Sequence, residues 1–247
     1  MAKGNGPRDY RLLHLGSDLQ YFEVKVKETD LSIGIDSRDY SDDLSTLCYR
    51  ETIKIRRQLE EYLIIHPQFK TSLIPVETLP EAPVTAYQMA AAAAIAGVGP
   101  MAAVAGAIAD HIGQMLRQYS RDVIVENGGD IYLATTRERI IAVYAGDSPF
   151  SYNIGIKIKP ETTAGICTSS GMVGHSLSFG VADAVIVKGC TAVLADAAAT
   201  QAGNLVKNKF TLKKSVEYIK GINNSLGILA IKDDRMAVWG DIEITPL

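Results

Sequence analysis

Apolar and polar residues alternate near the start of the chain. Residues 21–27 and 31–35 both follow this period of two, which is typical of half-buried β-strands. The polar residues 28–30 separate the two runs. The pattern therefore predicts an antiparallel hairpin.

The next apolar positions recur at helical spacing. They begin after Ser41, a residue type that accepts hydrogen bonds from the first turn of a helix, and the two aspartates that follow suit the positive end of the helix dipole. Pro67 pushes the residue before it out of the helical conformation, so we predict that this helix ends near His66. Residues 67–84 contain four prolines and are predicted to form an extended connector, which is a candidate position for a subdomain boundary.

Residues 86–109 carry no charge and are rich in alanine. The stretch is long enough to span a membrane, but Gly97, Gly99 and Pro100 interrupt it, and we predict two helices of a soluble protein. Side chains this small let helix backbones approach closely. Two interpretations stay open, a buried helix pair within the chain and a homodimer interface.

The second half of the chain is predicted to be rich in strands. β-branched runs separated by Gly, Asp or Pro occupy residues 123–125, 131–133, 139–144, 152–158, 163–168 and 182–187. A helix of about 18 residues is predicted to start near Thr191, a second helix around residues 214–219, and a closing hairpin over residues 226–239. Strands and helices do not alternate regularly. The sequence therefore predicts an α+β fold in one domain, residues 1–247, with antiparallel or mixed sheets around the buried alanine-rich helices.

Composition narrows the class of partner. Lys and Arg number 25 against 28 Asp and Glu, a net charge of -3, and no run of five like charges occurs, which argues against nucleic acid and against a membrane surface. The three cysteines, Cys48, Cys167 and Cys190, have neither the number nor the spacing of a disulfide framework or zinc site. The first ten residues lack the apolar core of a secretory signal. We therefore expect a cytoplasmic protein whose partner is a small molecule or another protein.

Two glycine turns are candidates for ligand contact. Gly97 and Gly99 precede a helix that carries Asp110, and free N–H groups at a helix start bind phosphate oxygens. The second turn lies between two predicted strands and consists of Asn127, Gly128, Gly129 and Asp130. Its glycines suit either a plain hairpin turn or the close approach of a ligand to the backbone.

Two further groups of residues suggest chemistry. Ser169, Ser170 and Gly171 precede His175, a candidate for ligand contact or proton transfer because imidazole titrates near neutral pH. Asp196 and Thr200 lie one helical turn apart, and a carboxylate and a hydroxyl on one helix face suit Mg²⁺. The alternative for this pair is a helix aspartate followed by a threonine bonded back to its own helix.

The order of these motifs along the chain resembles that of the ApbE family of FAD:protein FMN transferases. That family combines a glycine-containing helix start, a Gly-Gly-Asp/Glu turn, a Ser-Gly loop, a histidine and an Ala-Asp-Ala-x-x-Thr helix, and the resemblance covers about residues 85–210. Residues 165–180 more closely resemble a cytoplasmic, signal-less ApbE-like family of archaea and anaerobic bacteria.

The resemblance implies a cofactor and a reaction. FAD or a related nucleotide would be the small-molecule ligand, Asp196 and Thr200 would hold Mg²⁺ against its pyrophosphate, and His175 would accept the proton of a hydroxyl on an acceptor protein. FMN would move to that hydroxyl and AMP would leave. His175 and Asp196 are thus the implied catalytic residues. The implied nucleotide contacts are Gly97, Gly99, Asp110, Asn127, Gly128, Gly129, Asp130, Ser169, Ser170 and Gly171.

The chain also departs from the family pattern. Ala105 and Gly106 stand where the family has a Lys-Gly pair, and the Asp-Pro-x-Thr-Gly stretch that follows the family's histidine is absent. Losing a cation beside a pyrophosphate removes transition-state stabilisation. Two alternatives therefore stay open: a ligand-binding protein without transfer chemistry, and a sulfide-assimilation accessory protein that uses Cys167.

Overall fold

The alternating residues at the start of the chain form the predicted hairpin. In the computed structural model, which describes residues 18–170, 180–222 and 226–247, β1 (Leu19–Val26) pairs antiparallel with β2 (Thr29–Asp36). The apolar residues of β2 at alternate positions, Leu31, Ile33 and Ile35, are fully buried. Their burial on one face fixes the register of the hairpin.

The first long helix, α1 (Asp42–Ile65), begins and ends where the sequence predicts. The Ser41 hydroxyl accepts a hydrogen bond from the N–H of Leu44, and the helix stops one residue before His66. The connector is not extended throughout, because Pro67 starts a short helix, α2 (Pro67–Thr71). Proline suits the first position of a helix, and the fully buried Phe69 anchors this turn in the core.

The alanine-rich stretch forms two helices, as predicted. They are α3 (Val84–Ala96) and α4 (Val104–Leu116), the second preceded by the 3-10 turn Pro100–Ala103. Gly97 ends α3 in the left-handed region at φ +68°. No single helix of the described residues is long and apolar enough to cross a membrane; α3 and the segment 100–116 meet that criterion only together, across a bend of 104°.

The strands of the described residues form two antiparallel sheets. The larger sheet contains eight strands, including β3 (Val123–Asn127), β4 (Asp130–Thr135), β7 (Thr162–Ser169), β8 (Ala184–Gly189), β9 (Gly227–Lys232) and β10 (Arg235–Gly240). Its order is β1-β2-β3-β4-β7-β8-β9-β10. The smaller sheet has the order β11-β6-β5 and is built from β5 (Arg139–Ala142), β6 (Ile154–Ile158) and β11 (Glu243–Pro246).

The larger sheet is covered on both faces. The helices pack on one face, together with α5 (Ala192–Asn204) and α6 (Leu212–Gly221), and the smaller sheet packs on the other. β3 and β4 are consequently buried along their whole length. α5 has 13 residues rather than the predicted 18 or so, and it lies across β7 and β8. The predicted α+β fold is confirmed, and its strand pairs are antiparallel throughout the described residues.

Candidate active site

α4 and α5 each supply a carboxylate to the first turn of the other helix. Asp110 of α4 accepts hydrogen bonds from the N–H groups of Ala192 and Val193, at 2.9 and 2.8 Å. Asp196 of α5 accepts one from the N–H of Gly106 at 2.9 Å, and the N–H of Ala105 also donates to it. The N–H groups at a helix start have no partner within the helix, so each carboxylate satisfies donors that would otherwise be buried and unpaired.

This exchange depends on a very close approach of the two helices. A Cβ atom on Gly106 would lie 2.3 Å from the carbonyl oxygen of Ala192, and one on Gly165 of β7 would lie 2.2 Å from the nitrogen of Ala192. Both distances are far below van der Waals contact. Glycine at these two positions is therefore required to seat the start of α5 between α4 and β7.

The Gly-Gly turn between β3 and β4 lies beside the start of α4. Gly128 and Gly129 have φ of +67° and +105°, values that other residues rarely adopt. The side-chain amide of Asn127 donates to the carbonyl of Ala105 at 3.1 Å. The carboxylate of Glu126 accepts a hydrogen bond from the N–H of Gly129 at 2.7 Å. Two motifs some twenty residues apart in the sequence are thus joined by a direct hydrogen bond.

Asp130 begins β4 and points into the helix-covered side of the sheet. It accepts a hydrogen bond from the N–H of Thr168 and lies within hydrogen-bonding reach of the Cys167 thiol. Its Oδ1 atom is buried and has no hydrogen-bond partner among the described residues. The Cys167 sulfur in turn lies 3.2 Å from the carbonyl oxygen of Ala192.

α5 carries Asp196 and Thr200 over the same part of β7. The helix contacts Gly165 at its start, through Ala192, and Ser169 near its end, where a Cβ on Gly203 would lie 2.8 Å from the serine Oγ. Asp196 and Thr200 lie between these two contact points along the helix. Asp196 acts electrostatically on both Asp130 and Cys167, and Thr200 is half-buried one helical turn beyond Asp196.

Asp110, Asp130 and Asp196 form what we call the buried acidic site. Burial raises the pKa of Asp110 to about 6. Burial also raises the pKa of Asp196, and burial together with the charge of Asp196 raises the pKa of Asp130. No Lys or Arg among the described residues forms an ion pair with any of the three. The site therefore brings together three carboxyl groups that take up protons more readily than exposed aspartates, with no Lys or Arg paired to them in the described part of the chain.

A separate cavity lies on the opposite face of the larger sheet. Its volume is about 80 Å³, and it opens between the two sheets beside the Gly-Gly turn. Its polar end contains Glu126, Gly129, Thr168 and Ser170, and its walls are mostly isoleucine side chains. Polar groups of the turn thus lie between this cavity and the buried acidic site.

The structure brings together some of the predicted residues and separates others. The residues that meet around α4 and α5 are Asp110, Asn127, Asp130 and Asp196, with Gly128 and Gly129 in the adjoining turn, and Thr200 follows Asp196 by one turn of α5. Gly99 instead packs against the connector, where a Cβ would lie 1.8 Å from the carbonyl oxygen of Ser72, and Gly97 terminates α3. Ser170 lines the cavity and Ser169 touches α5, whereas Gly171 and His175 lie outside the described residues.

The sequence patterns did not indicate the close backbone contacts at Gly106 and Gly165 or the role of Glu126 in the turn. Both glycines are required because the backbone of Ala192 packs directly against them, and a sequence does not show which segments come into contact. Glu126 does carry a signal, because it is an acidic residue three positions before Gly129 in an otherwise apolar strand. Its carboxylate fixes the turn from the strand side.

Comparison with known proteins identifies relatives for nearly the whole chain. The family model described as AbpE bacteria matches residues 12–218. A UPF0280 protein of Methanococcus aeolicus is 40% identical over 222 residues, covering 85% of this chain and 88% of that protein. A UPF0280 protein of Methanocaldococcus jannaschii is 37% identical over 225 residues, covering 89% and 90%.

Solved structures share the fold at low sequence identity. The flavin transferase ApbE from Vibrio cholerae superposes with a TM-score of 0.59 at 13% identity, over 90% of this chain and 96% of that chain. The apo form of the Pseudomonas stutzeri flavinyl transferase ApbE gives a TM-score of 0.58 at 13% identity, over 90% and 94%. The overall architecture is therefore that of ApbE flavin transferases.

Proposed function

The chain belongs to the AbpE bacteria family, and we propose that it binds a flavin nucleotide, FAD or a close relative, at the buried acidic site. The observation that carries the proposal is the hydrogen bond from the Gly106 N–H to Asp196, two residues 90 positions apart in the chain. It joins the glycine-containing helix start to the Ala-Asp-Ala-x-x-Thr helix. The hydrogen bond from the Asn127 side-chain amide to the Ala105 carbonyl connects the Gly-Gly turn to the same helix start.

We propose Mg²⁺ as the cofactor, held by Asp196 and Thr200. A buried carboxylate and a hydroxyl, with no Lys or Arg paired to the carboxylate among the described residues, are oxygen donors of the kind that a hard divalent cation prefers. When bound, the ion would supply positive charge to the pyrophosphate of the nucleotide. The protein's own contribution would be to hold Asp196 in place through N–H groups of α4, and Asp110 beside it through N–H groups of α5.

The finer proposal is transfer of FMN from FAD to a Ser or Thr hydroxyl of an acceptor protein. Two observations bear on whether transfer accompanies binding. The N–H groups at the start of α4 already donate to Asp196, so phosphate oxygens have fewer free amides there. Ala105 also supplies no cation where the ApbE pattern has lysine. Binding without transfer is therefore the second candidate, and release of AMP separates the two.

The sulfide-handling alternative receives no support from the surroundings of Cys167. The side chain is fully buried. Burial and the neighbouring Asp130 carboxylate raise the pKa of the Cys167 thiol, and the thiolate is the form that reacts with sulfur species. We therefore assign Cys167 a packing and hydrogen-bonding role beside the acidic site.

The test is a titration of the purified protein with FAD, in Mg²⁺ and in EDTA, with released AMP measured by chromatography. We expect Mg²⁺-dependent quenching of flavin fluorescence, and AMP if transfer occurs. Asp196→Asn should abolish the Mg²⁺ dependence, and Asn is preferable to Ala because Asp196 also supports the first turn of α4. Asp43→Asn, at an exposed carboxylate on α1, is the matched control.

Failure of the wild-type protein to bind FAD under both conditions would overturn the proposal. So would equal Mg²⁺ dependence in Asp196→Asn and wild type. Binding without AMP in the presence of candidate acceptor proteins would leave the ligand-binding function and remove the transferase.

A further inference from the structure

Asp130 has a buried oxygen atom that the described protein groups leave unsatisfied. Asp130 is 8% exposed, and its Oδ1 has no hydrogen-bond partner among the described residues. A buried polar atom without a partner is costly, and an ionised one more so. Such an atom persists in a folded protein when it serves another purpose.

The neighbouring carboxylates differ from Asp130 in this respect. Both oxygens of Asp110 accept backbone hydrogen bonds at the start of α5. Oδ2 of Asp196 accepts one at the start of α4. Those two side chains are held in place by the helices, whereas Oδ1 of Asp130 has no hydrogen-bond partner among the described residues and the charge of Asp196 acts on this carboxyl group.

We propose that Asp130 is a direct ligand of the divalent cation, through Oδ1, and that it completes the site formed by Asp196 and Thr200. Asp130 belongs to the Gly-Gly-Asp turn, so the turn would contribute to the metal as well as to the nucleotide. The inference rests on the proposed function for the cation and for its ligands Asp196 and Thr200, whereas the buried oxygen of Asp130 without a hydrogen-bond partner is observed independently of it.

The small number of protein ligands fits Mg²⁺ or Mn²⁺. Among the described residues, no group of three or more His, Cys, Asp and Glu side chains is arranged to hold a metal by itself. Mg²⁺ is commonly bound by one or two carboxylates together with water and substrate phosphates. Two carboxylates and one hydroxyl would leave positions open for the oxygens of a pyrophosphate.

A proton offers the competing explanation. If Asp130 and Asp196 share a proton, the charge between them is reduced without any metal, as happens with paired carboxyl groups elsewhere. This alternative predicts that the protein binds no cation at this place. A metal titration without nucleotide therefore distinguishes the two.

The experiment measures binding of Mn²⁺ alone by electron paramagnetic resonance of the free ion. The wild-type protein should bind one Mn²⁺, and Mg²⁺ should compete for it. Asp130→Asn should weaken the affinity on the order of 10–100-fold, at least the loss seen when an outer-shell partner of a metal ligand is removed. Asp43→Asn, at an exposed carboxylate on α1 far from this cluster in the sequence, is the matched control, and its affinity should stay within about threefold of wild type.

Folding is checked on the same samples. Asn has the shape of Asp and carries no charge, so it removes a carboxylate that acts on the charge of Asp196, and the metal-free Asp130→Asn protein should melt at the same temperature as wild type or higher. Equal Mn²⁺ affinity in Asp130→Asn and wild type would overturn the proposal, and so would the absence of Mn²⁺ binding to a wild-type protein that binds FAD. Mn²⁺ binding that depends on Asp130 in a protein that does not bind FAD would instead sustain this inference and overturn the proposed function.

Discussion

At the scale of single residues, Gly106 shows how a missing side chain determines the geometry of the site. A Cβ there would lie 2.3 Å from the Ala192 carbonyl oxygen, a backbone atom that cannot turn aside. We expect Gly106→Ala to lower the free energy of unfolding by about 1–3 kcal/mol, as overpacking does, and to weaken FAD binding by shifting α5. Urea unfolding followed by circular dichroism measures the first effect.

Gly221→Ala is the control for that substitution. Gly221 is the last residue of α6, and a Cβ there would meet nothing within 4 Å. Alanine should be neutral or stabilising by up to about 1 kcal/mol, because it restricts the unfolded chain more than glycine does. Similar losses in the two variants would contradict the assigned role of Gly106.

The three cysteines should differ in reactivity. Cys48 and Cys167 are buried and burial raises the pKa of each thiol, whereas Cys190 is exposed. In the native protein we expect Ellman's reagent to modify one thiol rapidly, and the other two only after unfolding. Cys190→Ser should remove the rapid phase, and a rapid phase that survives this substitution would show that a buried site opens.

Asp110 should make stability depend on pH. Its pKa is about 6 in the folded protein against an ordinary 3.8, so the folded state binds the proton more tightly, and stability falls as pH rises through this interval. Asp18, Asp36 and Asp122, whose pKa values are lowered, lose their contribution only at more acidic pH. The wild type should lose on the order of 3 kcal/mol relative to Asp110→Asn between about pH 4 and pH 7. Urea unfolding across this range measures the difference, and parallel curves for the two proteins would contradict it.

Sequence patterns identified Asp196, Asp130 and the Gly-Gly turn as candidate site residues, but they did not predict which groups form hydrogen bonds with them. Asp196 was predicted to be available for a metal, and its spacing from Thr200 supports that. The spacing carried no information on Gly106, because the two residues lie 90 positions apart and their contact arises from the packing of α4 on α5. The free oxygen of Asp130 is likewise visible only once the partners of the surrounding carboxylates are known.

At the scale of elements, the sequence predicted those that carry strong local signals, whereas it did not predict the short elements. α1 has a serine cap, a helical repeat of apolar residues and a proline after its end, and its bounds agree with the prediction. α2 has five residues and was hidden by the prolines around it. β11 has four residues, one of them Pro246, and becomes a strand only because β6 offers it an edge.

β11 joins the two sheets, since it follows β10 of the larger sheet and pairs with β6 of the smaller one. Ile244 packs into the core between the sheets. We expect Ile244→Ala to reduce the free energy of unfolding by about 1–2 kcal/mol, less than for a fully buried isoleucine. Glu243→Ala, at the exposed neighbouring position, should change it by less than about 0.5 kcal/mol, and chemical denaturation of both variants tests the contrast.

At the scale of the whole molecule, the α+β class followed from the irregular order of helices and strands. The division of the strands between two sheets could not be predicted, because the sequence pattern of a strand does not depend on which sheet the strand joins. β3 and β4 are buried on both faces, so their sequences show where the middle layer lies but not that a second sheet covers it. This covering layer encloses the cavity beside the Gly-Gly turn.

The exchange of carboxylates between α4 and α5 also has a kinetic consequence. Its hydrogen bonds link residues 82, 83 and 90 positions apart, and contacts of such high sequence separation form late because a long loop must close first. In refolding experiments, the protein should regain helical circular dichroism before it regains the ability to bind a metal or a nucleotide. A chain emerging from the ribosome would acquire binding competence only after residues up to at least Asp196 have been synthesised, so occupancy of the site reports that α4 and α5 have packed together.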